Sequence, residues 1–292
     1  MRVRAALLLL VLAGCAQQGG PPPRYLVGSP YQLAGTWSYP REDFALVQTG
    51  LASVAATPDG RRTANGESWD ASAMMAAHRT LQLPAVVRVT NLENGLETEV
   101  RVNDRGPANP GRVIDLSRRA AELLQIRGAA QVRIAVVPEA SRALAGNLPN
   151  PEAPRVQVAA APVGAVMRED LAPPPGASQA ASVRQARPLP SAGPAAAAAG
   201  PAASAVPDRL PERVTRGAPQ PGRLFIETAT FSTRALADQQ AARVGGGVEA
   251  FGPPGRQSFR VRIGPLQNVT EADRTLERTL RAGVSEARIL VE

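Results

Sequence analysis

The sequence contains no lysine. All 33 of its basic residues are arginine, and its 292 residues hold one cysteine, one histidine and only 3% aromatics. A single thiol cannot close an internal disulfide, and metal sites built from several thiolates are excluded with it. A nucleic-acid interface needs clustered cations interleaved with aromatics. Here residues 48–137 carry 11 arginines against 9 acids, 138–221 carry 8 against 6, and 222–292 carry 10 against 8. The formal charge of +8 is therefore spread evenly, and no segment forms a basic patch. The leading apolar run, Ala5 to Leu12, is far too short to span a bilayer.

What surrounds that run is informative. Arg2 and Arg4 give a short positive start and Ala13 and Gly14 are small, the pattern of a secretory signal. Leu12-Ala13-Gly14-Cys15 resembles the lipobox of bacterial lipoproteins. That resemblance implies a signal peptide over 1–14, a lipid on Cys15, and loss of Arg2 and Arg4, leaving +6 on the mature chain. Ala16 carries no Asp retention signal, so the resemblance also implies sorting to the outer membrane, facing the periplasm.

Residues 15–47 form the anchored N-terminal segment. After a Gly/Pro/Gln spacer it gathers Tyr25, Tyr31, Trp37, Tyr39 and Phe44, which either pack on the next domain or form an aromatic shelf for a sugar ring. A first domain spans 48–137, with strand-like runs at Leu51–Ala55, Ala85–Asn91, Leu96–Asn103 and Gln131–Val137. Glu93-Asn94-Gly95 is a hairpin signal between the middle two. Helical pieces are expected over Asp70–His78 and from Ser117 to Ile126, and Met74 and Met75 read as core. About 90 residues of this kind suit a small closed β-barrel. Residues 138–221 hold 16 of the 28 prolines and the run Ala195–Ala199, the composition of a disordered linker. Residues 222–292 return to alternation: strands at Leu224–Thr230, Phe259–Ile263 and Ala287–Val291, helices at Thr233–Arg243 and Val269–Ala282, a small α/β sandwich.

Glycosidic-bond cleavage passes through an oxocarbenium-like state, which asks for one protonated carboxyl and a second carboxylate to steady the positive ring. Glu67, Asp104 and Asp115 are the candidates. Gly66 lets the backbone turn before Glu67, and Asp104 ends a strand before Arg105-Gly106-Pro107. Asp115 has a competing use as a cap for the helix near Ser117.

Five stretches, Arg61 to Glu67, Ala76 to Leu81, Arg88 to Leu92, Val102 to Pro107 and Gly111 to Ser117, resemble in order the rare lipoprotein A family. The resemblance implies a six-stranded double-psi β-barrel, related in fold to expansins and to membrane-bound lytic transglycosylase A. It also implies catalytic Glu67 and Asp104, with Asp115 at the step of the related enzyme's acid/base. His78, Thr63, Asn65 and Arg105 would contact substrate. The implied reaction needs no metal or cofactor: the 6-hydroxyl of muramic acid closes on C1 and leaves a 1,6-anhydro end. One departure stands out. The family's Ala-Ser-Trp-Tyr-Gly element is here Ala52-Ser53-Val54-Ala55-Ala56, so an aromatic pair is missing.

The C-terminal block resembles a sporulation-related repeat (SPOR) domain through Leu224 to Ser232 and Arg260 to Leu266. Such domains bind glycan strands stripped of stem peptides at the division septum, which makes Phe231, Arg260 and Arg262 the implied glycan contacts, although Phe231 and Phe259 also suit a core. Glu227 and Ala229 depart from the usual Gln and Gly. Three functions are in view: a septal lytic transglycosylase with division-site partners, a non-catalytic murein-binding lipoprotein, and an expansin-like loosening protein.

Overall fold

The computed structural model describes residues 22–152, 209–253 and 255–292. Cys15, the signal segment and residues 153–208 lie outside them.

A hairpin comes first, β1 (Tyr31–Leu33) against β2 (Thr36–Ser38). The barrel follows with β3 (Val47–Val54), β4 (Met75–Ala77), β5 (Ala85–Asn91), β6 (Leu96–Asp104), β7 (Ile114–Leu116), α1 (Arg118–Leu123) and β8 (Ala130–Val136). Around the ring the order is β4-β7-β3-β8-β5-β6, and a β6–β4 pairing closes it. The β3–β7 and β4–β6 pairs are parallel and the rest antiparallel. This is a six-stranded double-psi β-barrel. Period-two alternation fills it: Val87, Val89, Val100, Val102, Val132 and Ile134 are fully buried, while Arg88 between two of them is exposed. At the β5–β6 hairpin Gly95 has φ +76°, and a Cβ there would come within 2.2 Å of the Gly217 carbonyl oxygen, so only glycine fits.

Two expectations are corrected. Asp70–His78 is not helical: a turn leads into β4, because Met75 to Ala77 find ladder partners in both β6 and β7. Tertiary pairing overrides the local helical pattern. The stretch 138–221 is not linker throughout. α2 (Pro138–Asn147) packs on the barrel through buried Leu144, and its Ser141 Oγ accepts from Val86 N–H at 3.0 Å. Leu210 is buried, and β9 (Val214–Arg216) pairs with β6.

The C-terminal domain runs β10 (Leu224–Phe231), α3 (Arg234–Val244), β11 (Gly247–Phe251), β12 (Ser258–Leu266), α4 (Val269–Arg281) and β13 (Arg288–Val291). Its antiparallel sheet is ordered β11-β12-β10-β13. This βαββαβ pattern is ferredoxin-like. β11 went unseen in the sequence because Gly245 and Gly246 lead into a short, largely exposed strand that itself begins with glycine. Barrel and C-terminal domain belong to one compact unit. Leu51 and Leu92 of the barrel share a buried cluster with Leu224, Ile226, Leu276 and Ile289. Arg112 grips Asp273 with two hydrogen bonds of 2.6 and 2.9 Å, and Thr49 Oγ1 donates to the Val291 carbonyl at 2.7 Å.

Candidate active site

The closing strands of the barrel bring the acidic residues together. Ser53 on β3 is level with Asp115 on β7, Asp115 with Ala77 on β4, and Ala77 with Asp104 on β6. One row across four strands thus carries both aspartates. They are two strand spacings apart, about 10 Å between backbones. Gly106 lies over the middle of this row: a Cβ there would meet Ala77 Cβ at 3.2 Å and Asp115 Oδ2 at 3.8 Å, and its φ of +156° suits glycine.

The Arg61–Glu67 turn supplies the rest. Arg61 pairs with Asp104 Oδ2, and Ala64 N–H donates to Asp104 Oδ1 at 2.9 Å. Three residues on, the Glu67 carboxylate accepts from Arg101 Nη2 at 2.6 Å, Asn65 Nδ2 at 2.8 Å and Asn103 Nδ2 at 2.9 Å. Arg101 and Asn103 are two apart on β6 and so share a face. Glu67 and Asp104 are therefore moored to one turn, yet differently bound.

Their protonation tendencies diverge. Burial would raise the Glu67 carboxyl, but Arg101, Asn103 and Asn65 outweigh it and hold the group below its ordinary value. Burial raises the Asp115 carboxyl above its ordinary value, opposed in part by the Ser53 hydroxyl and by the charges of Arg112 and Arg79. Ser53 Oγ donates to Asp115 Oδ1. The competing cap role disappears, since Ser117 caps α1 by accepting from Ala120 N–H at 3.2 Å.

The residues expected to touch substrate also make bonds within the framework. Thr63 and Asn65 are buried, with Thr63 Oγ1 donating to Asn65 Oδ1 at 2.8 Å and Asn65 Oδ1 accepting from Glu67 N–H at 3.2 Å. The Arg105 guanidinium donates to the Leu81 carbonyl at 2.5 Å and to the Val27 carbonyl, and it stands 5.9 Å from the Tyr31 ring centroid. His78 is buried beside Asp104, whose carbonyl accepts from His78 N–H at 3.1 Å. Its Nδ1 accepts from Thr80 and Leu81 N–H at 3.2 and 3.1 Å, which puts the proton of the neutral ring on Nε2. Burial, then the charges of Arg105 and Arg79, push its pKa down to about 3.

Sequence reasoning missed Ser53, Arg61, Arg101 and Asn103 as partners of the carboxylates. Arg101 and Asn103, spaced by two and alternating with apolar Val100 and Val102, were the available signal. Of the aromatic segment, Tyr25 packs inside, whereas Trp37 and Tyr39 are 54% and 60% exposed. Trp69 is buried and offers no face to a ligand.

On the C-terminal sheet the face away from the helices carries Glu227 ringed by arginines: Arg288 donates to it at 2.5 Å, Arg262 at 3.2 Å, and Arg260 lies at 3.8 Å. Phe225 and Phe251 lie on this face, within cation–π reach of Arg262 and Arg260. Phe231 does not: it packs on the helical side with the Ala237, Ala241 and Val261 cluster. No group of three His, Cys, Asp or Glu able to hold a metal occurs among the described residues.

Known proteins resemble this chain in sequence. Residues 48–136 match a family model described as lytic transglycolase. The chain is 34% identical over 259 residues to the endolytic peptidoglycan transglycosylase RlpA of Pseudomonas aeruginosa, covering 85% of this chain and 72% of that protein. A second relative, the endolytic peptidoglycan transglycosylase RlpA of Yersinia pestis, is 46% identical over 123 residues, 40% of this chain and 34% of that one. Among solved structures, the RlpA SPOR domain from Pseudomonas aeruginosa aligns with 24% of this chain and 99% of its own length, at 17% identity and a TM-score of 0.22.

Proposed function

Because the chain belongs to the RlpA family of endolytic peptidoglycan transglycosylases, we propose that it cleaves the MurNAc–GlcNAc bond within glycan strands, with Asp115 as the acid. The observation that carries the assignment is the row of Ser53, Asp115, Ala77 and Asp104, in which one carboxyl is biased toward the protonated form while neighbouring carboxylates are held by arginines.

In this reading Asp115 gives its proton to the GlcNAc oxygen as the bond from C1 of MurNAc breaks. Asp104, fixed by Arg61 and Ala64 N–H, steadies the positive ring. The MurNAc 6-hydroxyl then closes on C1 and returns its proton to Asp115, leaving a 1,6-anhydro end. The attack is intramolecular, so positioning supplies much of the acceleration. Glu67 is a positioning residue: ionised and enclosed, it holds Arg101 and Asn103 and fixes the turn that binds Asp104. Neutral His78 offers Nε2–H to a sugar oxygen.

The arginine-rich sheet face is the natural seat for glycan stripped of stem peptides, whose MurNAc units each carry a lactyl carboxylate. We place the protein in the envelope as an outer-membrane lipoprotein, anchored through Cys15, facing the periplasm and working at the septum beside division-site proteins. The lipobox and the SPOR resemblance support that placement.

Denuded sacculi digested with the full chain should release anhydro-muropeptides, detectable by mass spectrometry, and Asp115→Asn should reduce their rate about 1,000-fold with the melting temperature unchanged. No product from the wild type would favour the murein-binding reading instead.

A further inference from the structure

A cavity of about 920 Å³ is lined by His78 and Arg79, which follow Ala77 of the carboxylate row along the chain. One wall is the β1–β2 hairpin with Trp37 and Tyr39, the floor includes His78 and Arg79, and the far wall is β13 with Arg288. In a chain with 3% aromatics, two of its ten aromatic side chains stand more than half exposed here. Both are exposed and flank buried Ser38, two residues apart, a step of about 7 Å in extended chain. Exposed aromatics lining a concave, partly polar groove are the usual means of binding a ring that has apolar faces and polar edges.

The hairpin is fastened to the site. Arg79 Nη1 donates to Ser38 Oγ at 3.2 Å, and Tyr31 OH donates to the Arg79 carbonyl at 2.9 Å. Arg79 also bears on the Asp115 charge, so the platform has a fixed position relative to the acid. The groove takes in Ser285 to Arg288 of the C-terminal domain, and Arg288 also donates to Glu227 on the open sheet face. Of the arginines that line it, Arg41, Arg112 and Arg288 are paired with Asp43, Asp273 and Glu227, and Arg79 stands without a carboxylate ion pair among the described residues, a cation available to an acidic polymer.

We propose that Trp37 and Tyr39 form a sugar-stacking subsite that guides one acidic glycan strand from the C-terminal sheet face toward the barrel's carboxylates. The ion pair of Arg112 with Asp273 holds the two walls in register. This inference rests on the reading of the chain as a glycan-acting protein, and its test separates the two.

The full chain and its Trp37→Ala/Tyr39→Ala variant are compared for equilibrium binding to denuded glycan strands and for KM and kcat of anhydro-product formation. The variant should bind about 10-fold more weakly and show a KM raised by a similar factor, with kcat and melting temperature unchanged. Trp37→Phe/Tyr39→Phe should recover most of the loss. If the wild type makes no product while the alanine variant still binds more weakly, the subsite stands and the enzymatic reading falls. If the wild type makes product and the alanine variant matches it in both affinity and KM, the subsite is wrong. A wild type that neither binds nor cleaves overturns both.

Discussion

In the barrel the Glu67 carboxylate is 12% exposed and faces Arg101 at 5%, with Asn65 and Asn103 completing its partners. In the C-terminal domain Arg260 and Arg262 meet Glu249 and Glu292, which are 49% and 43% exposed. The first arrangement fixes the charge state of each group, because low dielectric amplifies every neighbour. In the second the outer carboxylates Glu249 and Glu292 are open to solvent and salt, so those pairs exchange partners at little cost, while Glu227 and Arg262 beneath them are each 10% exposed. Chemistry needs one carboxyl protonated beside another that is not, and only the buried arrangement supplies that. Adhesion to an acidic polymer needs cations that can be released, and the open sheet supplies those.

The contrast can be attacked first at Glu67. Glu67→Gln leaves Arg101 buried without its counter-charge, which should cost about 3 kcal/mol of stability as well as activity. Urea unfolding would measure it, and Arg101→Met in the same chain should return part of the stability but little activity. A Glu67→Gln protein as stable as the wild type would place the pair with the solvent-screened ones.

Smaller is the effect of pH on the barrel's buried imidazole. His78 is held neutral, its pKa pushed from 6.5 to about 3, so below about pH 6.5 the unfolded chain takes up a proton that the folded one refuses. Stability is fully present above that pH and should decline progressively as pH falls toward 3. His78→Gln should remove this part of the slope in pH-dependent melting curves.

Smallest is the change expected on the open sheet. Glu249→Gln frees Arg260 and Arg262 of a solvent-exposed partner and should tighten binding to denuded glycan about threefold at low ionic strength. The gain should shrink as salt is added in a co-sedimentation assay.

Much of this was legible before any fold was known. The Asn94-Gly95 hairpin, the cap at Ser117 and the alternation in β5 and β8 are local signals, and local chemistry carries them. β4 was hidden because three residues, Met75 to Ala77, become a strand only through partners 26 and 40 positions away. The helix α2 was hidden by the proline composition around it, although Pro138 is well placed in its first turn. The three acids could be found by residue type, but not their division of labour. That depends on Arg101 facing Glu67 and Ser53 facing Asp115, contacts set by barrel closure. The partners of Thr63, Asn65 and Arg105 met the same limit, since the Glu67 carboxylate and the Leu81 and Val27 carbonyls reach them only through the folded barrel.

The claim on which the account turns is that Asp115 carries the catalytic proton. Carboxyl carbon NMR of the wild type and of Ser53→Ala, alongside the pH dependence of anhydro-product formation, tests it most directly. Asp115 should titrate above 3.8. The rate should fall as pH rises through that value and the acid is lost. Ser53→Ala removes a hydrogen bond that favours the ionised form, so it should move both the titration and the falling limb to higher pH together. An Asp115 that titrates at or below 3.8, or a rate limb that stays put while the titration moves, would contradict the assignment.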